Sequence, residues 1–184
     1  MQLIYIVLII IAALVLLVIG MYNSLVSLRN QVKTAWATVD TQLQRRFDLI
    51  PNLIETVKGY MAHERETLEN ITKARIAFQS ATTVEEKAQS ENNLLGALRG
   101  FYAVAENYPD LKASQNFMIL QEELSATENK VAYARQNYNN SVLAFNNKIE
   151  HFPSNIIAGM FGFKPATQFE VESEEARKAP KVKF

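Results

Sequence analysis

Apolar and polar residues follow two different rules along this chain, and the change comes near residue 20. From Leu3 to Ile19, seventeen consecutive residues (LIYIVLIIIAALVLLVI) carry no charge or strongly polar side chain, and Gly20 and Met21 extend the run. At 1.5 Å per residue, nineteen helical residues reach roughly 28 Å, about the thickness of a bilayer's hydrocarbon core. Beyond Met21 the apolar residues return at every third or fourth position. The first stripe is Leu25, Leu28, Val32, Ala35, Val39, Leu43 and Phe47, widened by Trp36. This is the period of an amphipathic helix. No Gly/Ser-rich linker separates the two patterns, so one helix is predicted to leave the apolar run and continue into the polar part.

The segment Asp48-Leu-Ile-Pro-Asn52 interrupts that helix, because Pro51 lacks an amide hydrogen and clashes with the preceding turn. Whether the chain kinks or breaks there stays open at this level. The stripe resumes with Ile54, Val57, Met61, Leu68, Ile71 and Phe78, predicting a second helix of about 30 residues. Ser80 to Thr83 reads as a turn, and Thr83 with Glu86 has the form of a capping box. A third helix is expected from Val84 to Glu106, with Leu94, Leu95, Leu98, Phe101 and Tyr102 inward. Asn107-Tyr-Pro-Asp110 breaks it. A fourth helix of about 38 residues is expected from near Ser114, with a stripe from Phe117 and Leu124 through Val131, Tyr138 and Val142 to Ile149. Phe152-Pro-Ser154 ends it.

The predicted fold class is all-α: an N-terminal transmembrane helix continuing into an elongated antiparallel four-helix bundle, with coiled-coil-like spacing. The expected organisation is an anchor at 1–21, a helical bundle at 22–152, an apolar segment at 153–171 and a disordered polar tail at 172–184. The apolar segment contains NIIAGMFGF, Asn155 to Phe163, which is too short to span a bilayer. It either caps one end of the bundle or touches the membrane surface or a neighbouring subunit.

A cleaved signal peptide is the rival reading of the apolar run. Only Gln2 precedes the run and no Ala-x-Ala site follows it, so a retained anchor is the better reading. An uninterrupted apolar run at the extreme terminus also argues against a buried soluble helix. Arg29, Lys33, Arg45 and Arg46 follow the run, and only the α-amine precedes it. The positive-inside rule then predicts a single-pass protein of the bacterial inner membrane, N-terminus outside and C-terminal domain cytoplasmic. The absence of cysteine fits a reducing compartment.

Charge narrows the partners. Nineteen basic residues balance nineteen acidic ones, which argues against nucleic acid as a partner. The chain has two histidines, His63 and His151, and no cysteine, so a zinc site is not expected. His63-Glu64 lacks the second histidine of a zinc-protease helix. The glutamates are read as solvated helix surface. No nucleophile with a paired base and no phosphate-binding glycine loop is present. We therefore assign no catalytic, cofactor-binding or metal-binding residue, no cofactor, no small-molecule substrate and no enzyme activity. Some polar residues remain of interest: Arg45 and Arg46 beside Asp48; Glu106 and Asn107; Glu128, Asn129 and Arg135; and Asn137, Asn139, Asn140, Asn146 and Asn147. The asparagines form either a solvated face or a hydrogen-bonding interface.

Several stretches together resemble the LemA family. They are Trp36-x-x-Val39-Asp40-x-Gln42-Leu43-x-Arg45-Arg46-x-Asp48-Leu49-Ile50-Pro51-Asn52, Val57-Lys58-Gly59-Tyr60-x-x-His63-Glu64, Glu106-Asn107-Tyr108-Pro109-Asp110-Leu111, Thr127-Glu128-Asn129 and Phe152-Pro153-Ser154. The resemblance implies a single-span membrane protein with a helical domain in the cytoplasm. One branch of that family is associated with magnetosome membranes, and others are encoded beside membrane zinc peptidases. A scaffold or accessory role is implied, with no catalytic residue to carry over. The expected function is a non-enzymatic membrane-anchored scaffold that self-associates into a homo-oligomer. The alternative is an adaptor or regulator of another membrane protein such as a peptidase. The lipid bilayer is a partner in both.

Overall fold

The computed structural model describes residues 1–170, and every regular element among them is helical. Along the chain come α1 (Gln2–Asp48), α2 (Ile50–Lys58), α3 (Arg65–Ser80), α4 (Val84–Ala105), α5 (Pro109–Lys112), α6 (Gln115–Glu150) and α7 (Ser154–Met160). The polar tail expected at 172–184 lies outside the described residues.

The expected continuity of the first helix is present. α1 runs for 47 residues without a break, from the apolar run to Asp48. Its apolar part is exposed along nearly its whole length and is long and apolar enough to cross a membrane. At Pro51 the question left open by the sequence has a local answer. α1 stops at Asp48, α2 starts at Ile50, and Leu49 between them keeps helical angles of φ −76° and ψ −20°. The Leu49 N–H donates to the Arg46 carbonyl at 3.2 Å, a tightened turn. Pro51 itself falls in the first turn of α2, where a missing N–H costs little.

The second helix departs from expectation. The predicted helix of about 30 residues is two helices, α2 of 9 residues and α3 of 16, with a turn across 59–64. Gly59 caps α2, in keeping with its poor helix propensity. Met61 then turns inward, fully buried, and its N–H donates to the Val57 carbonyl at 2.9 Å. Burial of one thioether side chain therefore fixes a turn inside a pattern that reads as continuous helix. Two short helices, α5 and α7, also occupy stretches expected only as breaks or tail.

Ala81–Thr83 link α3 to α4, and these two helices pack against each other. The capping box forms as expected: the Glu86 N–H donates to Thr83 Oγ1 at 3.1 Å, and the Thr83 N–H donates to Glu86 Oε2 at 3.0 Å. The Thr82 N–H donates to the same oxygen at 2.7 Å. Backbone donors at Thr82 and then Thr83 hold the Glu86 carboxyl below its usual range.

The chain divides into two compact units. The first comprises Met1–Asp40 and Tyr133–Gln168; the second comprises Thr41–Ala132 with Phe169 and Glu170 of the described residues. In the first unit α1 meets α6 where Trp36 packs on Tyr138, ring centroids 5.3 Å apart. Leu25, Val32, Val39, Val142, Phe145 and Ile157 are buried there. In the second unit Phe47 of α1 stacks on Phe78 of α3 at 4.0 Å, the planes 6° apart. Leu43, Leu53, Ile71, Leu94, Leu111 and Leu124 are buried in that unit. Removal of this apolar surface from water is the main stabilising term in each unit.

Candidate functional site

Helix periodicity places a charge in the interior of the second unit. Val39, Leu43, Arg46, Ile50 and Leu53 step alternately by four and three, so Arg46 stands where a core residue is due. On α4, Ala88, Glu91, Leu94 and Leu98 step by three, three and four, so Glu91 also stands on an apolar stripe. Both charged side chains are 2% exposed. Arg46 Nη1 donates to Glu91 Oε1, and Nη2 donates to Glu128 Oε2 on α6 at 3.3 Å. Glu128 is itself 56% exposed. One guanidinium thus joins α1, α4 and α6, with one partner in the dark and one in water. Among the described residues, Arg46 Nε and, one turn earlier, Gln42 Oε1 have no hydrogen-bond partner. Burying these charges costs free energy that only the pairing offsets, so the cluster fixes which helix faces meet.

The cluster borders a cleft lined by Leu98, Arg99, Tyr102, Gln121 and Glu128. Burial pushes the Tyr102 hydroxyl pKa up; Arg46 opposes that shift and Glu128 adds to it. Elsewhere in the unit the Tyr108 hydroxyl donates to Glu64 Oε1 at 2.9 Å. That bond raises the tyrosine's pKa. It ties the turn after α2 to the turn before α5. Among the described residues no group of three or more His, Cys, Asp or Glu is placed to hold a metal ion.

The first unit carries the second arrangement of interest. α7 begins at Ser154, whose hydroxyl donates to the carbonyls of Lys148 at 2.6 Å and His151 at 2.9 Å. Ile157 and Ala158 face inward, whereas Ile156 (53% exposed) and Met160 (73%) face out. The following residues return to α1. Phe161 packs on Tyr22 with ring centroids 4.8 Å apart, and Phe163 lies 5.8 Å from the same ring. Gly162, between them, takes φ +69°, which glycine reaches without steric cost. The Arg29 guanidinium sits 5.2 Å over the Phe163 ring, a cation–π contact. Further on, Asn146 Nδ2 donates to the Ala166 carbonyl and the Ala166 N–H donates to Asn146 Oδ1, both at 2.9 Å. The Tyr138 hydroxyl donates to the Thr167 carbonyl at 2.7 Å. The apolar segment is therefore strapped to α1 and α6 within its unit.

Of the residues singled out by sequence, the structure brings Arg46 and Glu128 together and gives Asn146 a partner in Ala166. Arg45, Glu106, Asn107, Asn129, Asn137, Asn140 and Asn147 are exposed, and Arg135 and Asn139 are half-buried. Glu91 was not anticipated, Ser154 was read only as part of the break after the last long helix, and Tyr22 was given no role. For Glu91 a signal existed: a carboxylate standing on an apolar stripe of helical period. The ring contacts of Tyr22 join residues about 140 positions apart and have no local pattern.

Comparison with known proteins agrees with these features. The LemA family model matches residues 35–184. Protein LemA of Metamycoplasma hominis is 31% identical over 145 residues, covering 76% of this chain and 64% of that protein. Magnetosome protein MamQ 2 of Paramagnetospirillum magneticum is 23% identical over 175 residues, covering 81% of this chain and 64% of its own length. Magnetosome protein MamQ of Magnetospirillum gryphiswaldense is 22% identical over 174 residues, with 80% and 64% covered. The chain thus spans 64% of the length of the relatives it matches. The matched region holds Arg46, Glu91, Glu128 and the strapped segment up to Thr167, and on that match the chain belongs to the LemA family.

Proposed function

We propose that this protein is a non-enzymatic helical scaffold, anchored in a membrane by α1 and assembled through contacts between copies. The observation that carries the reading is the unbroken course of α1 from the exposed apolar run to Asp48. A helix that continues out of a bilayer without a flexible joint transmits position and tilt to what it carries. Arg29 and Lys33 follow the run, which favours the N-terminus outside and the polar part in the cytoplasm. For the second unit we propose an antiparallel four-helix bundle of α1, α3, α4 and α6. The Phe47–Phe78 stack, the α3–α4 pair and the Arg46 cluster support that arrangement. Relatives named as magnetosome proteins fit a role in organising a membrane compartment.

Self-association would use the second unit's part of α6, where Met118 and Ile119 are large, apolar and about half exposed. The test is the mass of the full chain in mild detergent by light scattering, corrected for bound detergent. A discrete homo-oligomer that Met118→Glu with Ile119→Glu disperses supports the scaffold. A monomer overturns it and leaves the adaptor reading, in which crosslinking in the native membrane captures a stoichiometric membrane-protein partner.

A further inference from the structure

We propose that the outward face of α7, with Phe152, Ile156, Met160 and Phe161, inserts into the interfacial layer of the lipid bilayer and forms a second membrane contact beside the span. The inference rests on the reading of α1 as the anchor. Tyr22 is the first residue after the apolar run that ends at Met21, so it stands at the edge of the hydrocarbon core. Phe161 lies 4.8 Å from the Tyr22 ring, centroid to centroid. The α7 segment is therefore held at the depth where the span meets the headgroups. Ile157 and Ala158 are used against the unit's own core. On α7, Ile156 and Met160 stand four residues apart and are 53% and 73% exposed, and Phe152, two residues before the helix, is 79% exposed. An apolar stripe of this kind, at this height, faces acyl chains and headgroups before it faces bulk water.

Charge supports the lipid surface as the occupant. The whole chain is neutral, but the first unit is not: Arg29, Lys33, Arg135, Lys148 and Lys164 oppose only Asp40 and Glu150. Asp40 lies eighteen residues beyond Tyr22 along α1. Arg29, over Phe163, and Lys164, next to it, stand where anionic headgroups would meet them. The segment combines an apolar face with a basic rim, although no single helix carries both.

The chain has no cysteine, so a single introduced cysteine labels one site. Phe152→Cys, Met160→Cys, Leu14→Cys and Tyr133→Cys would each carry an NBD fluorophore. The full-length protein would be reconstituted in phosphatidylcholine–phosphatidylglycerol vesicles containing lipid spin-labelled near the headgroup end of the acyl chain. Leu14 reports the span and Tyr133, 75% exposed on α6, reports water. Labels at Phe152 and Met160 are expected to be quenched several-fold more by the lipid than the label at Tyr133, and to be shielded from aqueous iodide. If they behave like Tyr133 while Leu14 is buried in lipid, the anchor stands and the inference fails. If Leu14 also sees water, the anchor reading itself fails. Shielding from iodide without lipid quenching, with energy transfer between labelled copies, would overturn the proposal by giving the face to a second copy.

Discussion

The buried arginine gives the sharpest test of how this fold is held. Arg46→Met keeps much of the side-chain volume and removes the charge from Glu91, which is 2% exposed. A carboxylate left in that interior costs about 3–5 kcal/mol when its partner is removed. For a chain of 184 residues each kcal/mol corresponds to about 2–4 °C, so the melting temperature should fall by roughly 6–20 °C. Replacing both partners, Arg46→Met with Glu91→Leu, removes the orphaned charge as well. The double variant is expected to return to within about 1 kcal/mol of the parent or to exceed it. Glu128→Gln touches the same guanidinium at 3.3 Å, but its carboxylate is 56% exposed. Solvent screening limits that loss to about 1 kcal/mol or less. Thermal unfolding of the full chain in mild detergent, followed by helical circular dichroism, measures the parent, Arg46→Met, Glu91→Leu and the double variant as one cycle, with Glu128→Gln beside it. The reasoning is refuted if Arg46→Met melts with the parent, or if the double variant is as unstable as the worse single one.

Three further outcomes follow from other contacts. Phe78→Ala removes one ring of the stack with Phe47 at 4.0 Å and is expected to cost about 3–5 kcal/mol, read by the same unfolding assay. Asn146→Ala deletes both bonds to Ala166 and should cost about 1–3 kcal/mol. Hydrogen exchange at the Ala166 amide should accelerate, with the α4 amides unchanged; a uniform acceleration would point to global destabilisation instead. The backbone donors hold the Glu86 carboxyl below the ordinary glutamate range in the folded state, so its contribution is complete above that range and is lost as pH falls through the lower folded value. Glu86→Gln should flatten this part of the acid dependence of the melting temperature, and an unchanged profile would remove the capping box from the account.

Much of the helical order was legible because long stripes of period three and four leave few alternatives. α1 and α6 are of this kind, and the turn before α4 announced itself through Thr83 and Glu86. The break at 59–64 was hidden because Met61 keeps the apolar spacing while the backbone leaves the helix. α7 was hidden because seven residues are too few to show a period. The Asn-rich stretch of α6 left two readings open. Asn146 is bonded to the returning chain of its own unit, while Asn137, Asn140 and Asn147 are exposed.

Averages concealed the rest. A net charge of zero argues against a polyanionic partner for the whole chain, yet the sign differs between the two units. In the first, basic residues outnumber acidic ones. In the second, Thr41–Ala132 alone carries ten basic residues against thirteen acidic ones. Electrostatic attraction acts over a Debye length of about 8 Å, so a surface meets the local excess and not the sum. The same point applies to Arg46: beside Arg45 and Asp48 it reads as one more surface charge, and only its heptad position separates it from them. Arg45 is exposed and Arg46 is not, one residue and about 100° of helix apart. A charge on an apolar stripe therefore says more about this chain's fold than the total charge does. The same change at the exposed neighbour, Arg45→Met, should cost under about 0.5 kcal/mol in the unfolding assay in which Arg46→Met is strongly destabilised.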